Sequence, residues 1–528
     1  MYDYLIRNAR LLDGTGAPET RGDLAVAGGK IVALGMLGDT EATRVIDAAG
    51  RYLIPGFIDI HRHGDAALFR PGYGWAELAQ GLTTVINGNC GLSLAPVEGA
   101  YQEAILRYLA PIVGELPEGE VFPTMEDYFR QVKTVPLPLN VGMLAGMGTL
   151  RANAAGFQDR SLSADQLRKL HALLEKTLAD GVLGVSLGLG YAPECFYTTE
   201  ELLRALTPLQ DSGVVISVHM RQEGDGVVEA LQEMLAVAAA LRTPVEISHL
   251  KGIGRRNWRR AVPEMLTMIR QARESGLDVS CDVYPYPAGS TQLIHVLPPE
   301  FQAGGQKALT EALRTPEKRR AIRRRMEMGS DFENISLLVG FEQILATSLT
   351  CPENRCFEGQ SIAEIAAARG QDPYDALFDL LAAERCAPSM IDFIAAEEDI
   401  AEILQSPFTS LISDATYPGG RLHPRVYGSV ARLLETYVGK REILTLPEAV
   451  RKVTRQPADR YGLTGKGRLA VGADADLCLF HLENVHERAT WQEPEQLAEG
   501  MDWVFVNGVP AIDEGRFTGK ASGRAVIG

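Results

Sequence analysis

Apolar and polar positions alternate in two styles along the chain. At the start, short runs of period two read as strands at Tyr4–Arg7, Leu24–Ala27, Lys30–Leu34 and Thr43–Asp47, separated by turns such as Asp13-Gly14-Thr15-Gly16 and Gly28-Gly29. The last sixty or so residues return to that style, with strands at Leu477–Leu482 and Trp503–Val506 and turns at Gly472-Ala473-Asp474 and Asn507-Gly508. Neither end has enough residues for a large sheet of its own. The economical arrangement joins both ends, 1–54 and 465–528, in one small β-sandwich.

Between them, continuous apolar runs rich in β-branched residues alternate with helical periodicity, the sign of βα units and a parallel sheet. Eight such runs fall at Gly56–Ile60, Thr83–Asn87, Asn140–Ala145, Gly184–Leu187, Val214–Val218, Val245–Ser248, Asp278–Asp282 and Thr409–Ser413, with helices such as Ser163–Ala179 and Asp225–Ala240 between them. The expected fold is α/β, a (β/α)₈ barrel over 55–464. The seventh and eighth strands lie too far apart for an ordinary connection. The intervening 285–405 reads as an insertion over the C-terminal barrel face, containing Pro298-Pro299, a basic helix, a further strand at Ser336–Val339 and the segment Cys351–Arg369.

Length and composition narrow the class. At 528 residues the chain exceeds a single ordinary domain, and 46% apolar with 23% charged residues is a normal globular balance. The formal net charge of −16 argues against a nucleic-acid partner. The basic run Lys318-Arg319-Arg320 and Arg323-Arg324-Arg325 reads as a solvated helix face. No apolar run is long enough to span a bilayer, and Met1–Arg7 lacks the pattern of a secretory signal. Seven scattered cysteines show no disulfide spacing, so a reducing, cytoplasmic setting is expected.

The chemistry lies at predicted strand ends. His61 and His63 close the first strand, and an i, i+2 pair on a strand can approach one ion. Alone, such a pair is as well explained by structural histidines. His219 and His249 end the fifth and sixth strands, so four of only nine histidines sit at strand ends. Asp414 ends the eighth strand, where a carboxylate can bind a metal, take a proton or cap a turn. Cys90 follows the second strand; a lone cysteine usually packs, but thiolate with imidazoles suits Zn²⁺.

Together, Pro55-Gly56-Phe57-Ile58-Asp59-Ile60-His61-Arg62-His63, the two later histidines, Asp414 and the tail Gly472-Ala473-Asp474-Ala475-Asp476-Leu477 resemble the amidohydrolase superfamily over essentially the whole chain. Within it, the chain is most similar to the N-acyl-D-amino-acid deacylase (D-aminoacylase) family. The marks are Gly88-Asn89-Cys90-Gly91, Gly148-Thr149-Leu150-Arg151, His219-Met220-Arg221, Ser248-His249-Leu250-Lys251, Asp282-Val283-Tyr284-Pro285-Tyr286 and His423-Pro424-Arg425. The resemblance implies zinc-dependent hydrolysis of N-acyl-D-amino acids. It implies a tight zinc on Cys90, His219 and His249, a weaker second site at His61 and His63, and Asp414 as the catalytic acid/base. Lys251, Arg425, Tyr191 and Tyr284 would hold the substrate carboxylate.

Two positions depart from the family pattern: Met147 stands where histidine is frequent, and Ala415 where glycine is usual. Both bear on pocket shape. A rival reading is hydrolysis of a cyclic amide such as a hydantoin, which commonly uses a carboxylated lysine on strand four. Gly184-Val185-Ser186-Leu187-Gly188 has none. A non-catalytic scaffold on the same fold is the other rival, and it need not keep all six metal-site residues. For the side chain of the substrate, His295 and the basic residues of the insertion are candidates, the latter for an acidic group.

Overall fold

The computed structural model describes residues 1–528 apart from Asp39, Glu118 and Ser330. Eight parallel strands form its centre: β1 (Phe57–Asp59), β2 (Leu82–Asn87), β3 (Asn140–Gly146), β4 (Gly184–Gly188), β5 (Val215–His219), β6 (Val245–Ile247), β7 (Val279–Val283) and β8 (Thr409–Leu411). They pair in chain order, each with the next. Beyond the strand ends the ring closes, because Asp414 donates its N–H to the His61 carbonyl and His63 to the Ala415 carbonyl, both at 2.9 Å.

Strands β2 to β5 are buried at every residue. Such runs suit a parallel sheet filled on one side by its own core and covered on the other by helices. The helices begin where the sequence predicts. Ser163 caps Ala164–Ala179 through a capping box with Gln166, and a second helix spans Val227–Leu241.

The chain ends do combine. Nine strands form one curled, mixed sheet, five from residues 2–55 and four from 477–517. Ile6, Leu24, Val26 and Leu53 share a core with Leu477, Leu479, Trp503 and Phe505, as the two layers of a small sandwich would. Strands at Tyr52–Pro55 and Val509–Asp513 are additional to those read from the sequence.

The insertion follows β7. Ala288–Gln292, Ser389–Phe393 and Ile344–Thr347 make a three-stranded antiparallel sheet. The strand expected at Ser336–Val339 is instead a short helix, Ile335–Val339, begun by bonds from the Leu337 and Leu338 amides to the Asn334 carbonyl. Its burial explains the error: Ile335, Ser336 and Val339 are buried while Leu337 is exposed, a helical spacing that four apolar-rich residues cannot reveal. The basic helix, Pro316–Met328, buries only Ile322 and Met326. Its arginines pair outward, Arg320 with Glu317 and Arg323 with Glu327 and Asp372. No helix among the described residues is long and apolar enough to cross a membrane.

Candidate metal centre and active site

The six residues singled out at strand ends converge at the C-terminal mouth of the barrel. His61 and His63 leave β1 with ring centroids 5.5 Å apart. Asp59 fixes that exit, with one carboxylate oxygen accepting the amides of His61 and Ser413, both at 3.2 Å. Cys90 is presented by the turn after β2, which Asn89 holds by donating its amide to the carbonyls of Ile60, Arg62 and Ile86. Cys90, His249 and Asp414 all take a left-handed backbone, with φ of 54°, 36° and 51°. Non-glycine residues carry that cost at few places, and functional sites are prominent among them.

The donor atoms lie close. Cys90 Sγ is 3.2 Å from His61 Nε2 and 3.5 Å from His249 Nε2, and His219 Nδ1 is 3.1 Å from that same His249 nitrogen. His63 Nε2 lies 3.2 Å from Asp414 Oδ1. Three overlapping triads have all donors within 4.8 Å of one another: His61–His63–Cys90, Cys90–His219–His249 and His61–His249–Asp414. A tetrahedral zinc with bonds of about 2.1 Å to nitrogen and 2.3 Å to sulfur separates two nitrogens by ~3.4 Å and nitrogen from sulfur by ~3.6 Å. The Cys90–His219–His249 spacing fits that geometry.

Protonation agrees. Burial pushes His61 down to about 3, and it also lowers His219 and His249, so the imidazoles keep the neutral form that binds metal. Burial raises the Cys90 thiol, an effect that a bound cation reverses by deprotonating a coordinating thiol outright. His61 and His63 each bury an Nδ1 without a hydrogen-bond partner.

Around the cluster stand charged side chains in pairs. Arg425 Nη1 is 2.9 Å from Asp414 Oδ2. Against the opposing effect of burial, Arg425 and His63 hold the Asp414 carboxyl well below its usual range. Lys251 Nζ donates to both oxygens of Glu223 at 2.8 Å. Tyr284 lies between the cations, its ring centroid 4.8 Å from the Arg425 guanidinium and 5.7 Å from the Lys251 ammonium. The Tyr191 ring lies tilted against both His219 and His295 with centroids 4.3 Å away in each case, and its hydroxyl accepts from Thr291. All four expected carboxylate-binding residues therefore line one cavity with His219, His249 and Asp414.

Two supporting carboxylates were not assigned roles from the sequence. Glu223 accepts from, or faces, His249 Nδ1 at 2.9 Å, the arrangement that orients a metal-binding imidazole. Its only sequence signal is a place four residues after His219, where many acids are solvated. Asp282 accepts the backbone N–H of His249 and so fixes the turn that aims it. The two departures from the family pattern stay out of the cavity: Met147 and Ala415 are fully buried, and neither lines it.

Comparison with known proteins then decides the family. A model of the amidohydrolase family matches residues 44–294 and 346–512. This chain belongs to the amidohydrolase family. It is 33% identical to a D-aminoacylase of Alcaligenes xylosoxydans xylosoxydans, over 99% of this chain and 97% of that one. It is 34% identical to an N-acyl-D-glutamate deacylase of the same organism, over 96% of this chain and 93% of that one. The crystal structure of an N-acyl-D-glutamate deacylase from Bordetella bronchiseptica, complexed with zinc and a phosphonate mimic of the tetrahedral intermediate, superposes with a TM-score of 0.84. That structure is 31% identical and covers all of both chains.

Proposed function

We propose that this amidohydrolase cleaves the amide bond of N-acyl-D-amino acids, releasing a carboxylate and a free D-amino acid, with zinc as its metal. The observation that carries this reading is a single cavity that brings His219, His249 and Asp414 together with Lys251, Arg425 and Tyr284, and the adjoining small pocket adds Cys90 beside His249 and Asp414. The second of these groups is what an α-carboxylate needs, a forked guanidinium and a point charge in a partly dry setting. A cyclic amide without a free carboxylate would leave it idle. The D configuration and the choice of zinc rest on the named relatives.

Cys90, His219 and His249 would hold the tight zinc, and His61 and His63 a weaker second ion. Zinc supplies Lewis acidity there, polarising the acyl carbonyl and lowering the pKa of a water. Asp414, ionised and next to the donor atoms, accepts a proton from the attacking water at a carboxylate oxygen. As the water oxygen bonds to the acyl carbon and the C–N bond breaks, Asp414 returns that proton to the departing nitrogen. Lys251 and Arg425 fix the α-carboxylate so that the scissile carbonyl faces the ligand cluster. The acyl group then points to a small pocket beside His63, Cys90 and Asp414, lined by Leu92, Ile112 and Thr416 and sized for a short chain. Seven free thiols support a reducing, cytoplasmic setting.

The test offers the zinc-loaded protein paired N-acetyl-D- and N-acetyl-L-amino acids and identifies the freed enantiomer. Release of the D amino acid alone supports the reading. Release of the L amino acid, or cleavage of hydantoins in place of linear amides, overturns it.

A further inference from the structure

The side chain of the substrate has one place to go. It branches from the same carbon as the carboxylate held by Lys251 and Arg425, so it enters the larger cavity and not the small acyl pocket. That cavity runs under the insertion, between apolar walls such as Leu189, Ile253 and Ile394.

Its charges are unbalanced. Of the cations on its lining, Lys251 and Arg425 are the pair that would take the α-carboxylate, and each also has a carboxylate beside it, while Arg221 is fully engaged. Arg221 donates Nε and Nη2 to Glu233 at 2.9 Å and Nη1 to the Cys195 carbonyl; Lys251 binds Glu223, and Arg425 binds Asp414. The basic helix contributes nothing to the lining, which corrects the expectation that it meets an acidic substrate group. His295 does line the cavity, but burial pushes it down to about 3, so it is neutral.

Two of the lining acids are different, whereas Glu223, Asp331 and Asp414 pair with Lys251, Arg325 and Arg425. Glu333 accepts the backbone N–H of Glu223, and among the described residues no lysine or arginine forms a salt bridge with it or with Asp392. Asp392 lies opposite Gly289 in the insertion sheet, where a Cβ would come within 3.0 Å of its Oδ1. Glycine at that position keeps the approach to the carboxyl open. Burial pushes Glu333 up to about 8 and Asp392 up to about 6, as expected of carboxyls without a counterion. Asp392 is buried and Glu333 half-buried, and a carboxylate so withdrawn from water needs a cation or stays protonated.

We propose that the preferred substrate is an N-acyl-D-amino acid with a long apolar stem and a cationic end, of the D-lysine or D-arginine kind, and that Glu333 is the residue selecting it, assisted by Asp392. This rests on the deacylase reading above. An acidic side chain would meet the Glu333 and Asp392 carboxyls and find no cation beyond the two that would hold the α-carboxylate.

The experiment measures kcat/KM of the zinc-loaded protein for N-acetyl-D-lysine, -arginine, -methionine, -aspartate and -glutamate, then repeats the series with E333Q and, as a second variant, D392N. The cationic substrates should exceed D-methionine by about tenfold or more, with the acidic ones slowest. The lysine-to-methionine ratio should fall by about tenfold in E333Q and less in D392N, in the range of a lost charge contact. D-selective turnover that favours acidic or neutral side chains, or a ratio unmoved in both variants, overturns this proposal and leaves the deacylase reading standing. Failure of every N-acetyl-D substrate overturns both.

Discussion

Individual side chains carry the chemistry because burial has stripped them of water and left them one another. Asp414 is held ionised by Arg425 and His63. Replacement of Asp414 with Asn removes the proposed proton acceptor while leaving Cys90, His219 and His249 in place. Zinc content should stay near that of the unaltered protein, and turnover should fall by at least about 10²-fold, the scale of losing a general base; the check is metal analysis alongside kcat. Glu223 acts one step further out, through His249 and Lys251. In E223Q, zinc affinity should drop by roughly 10–100-fold, as for other partners of metal-bound histidines, measured by titration with a competing chelator. Burial works against ionised Glu223, yet Lys251 and the imidazoles hold its pKa below the ordinary value. A depressed carboxyl gives stability that is complete above the unfolded-state value of about 4.3 and is lost as pH falls below it. Acid unfolding of E223Q should accordingly depend less steeply on pH than that of the unaltered protein, as followed by circular dichroism.

At the scale of elements, the site depends on how strands end. Gly88 follows β2 with φ of +79°, and a Cβ there would come within 2.4 Å of the Leu144 carbonyl on β3. G88A would combine an unfavourable backbone with that clash and disturb the turn presenting Cys90. A stability loss of about 2 kcal/mol or more and reduced zinc content are expected, from thermal unfolding and metal analysis. Strand ends were also the most legible part of the sequence. A buried parallel strand is a compact apolar run, so a histidine, cysteine or aspartate just after it stands out, as at His219, His249 and Asp414. What escaped notice lies where local pattern carries no information. The Glu223 carboxylate is made functional by Lys251 from another loop, and the insertion strand Ala288–Gln292 (Ala-Gly-Ser-Thr-Gln) has neither apolar alternation nor a β-rich composition. Ser336–Val339 reads as a strand from its composition but lies in the helix Ile335–Val339, because its burial spacing depends on tertiary contacts.

Over the whole molecule, the terminal sheet is fastened to the barrel by a buried polar junction. Lys466 Nζ is 2.6 Å from Asp476 Oδ2; Asp476 also accepts from the Asn507 amide at 2.6 Å and from Asn140 Nδ2, on β3, at 3.2 Å. Asn507 in turn donates to Asn140 Oδ1 at 2.8 Å. D476A would leave Lys466 buried with only Asp474 near it. The loss should be about 3–5 kcal/mol, with faster hydrogen exchange in Tyr2–Leu11 and Met501–Val506 than in the barrel strands. This junction includes none of the metal-site or cavity residues, so the chemistry is tested separately. The most direct test of that chemistry is to strip the protein with a chelator, restore it with zinc, and follow hydrolysis of an N-acetyl-D-amino acid against its L enantiomer at each stage. The account predicts no turnover without metal and D-selective turnover returning in proportion to zinc bound, up to about one ion per chain. Turnover that survives complete removal of zinc, or a restored activity that prefers the L enantiomer, would contradict it.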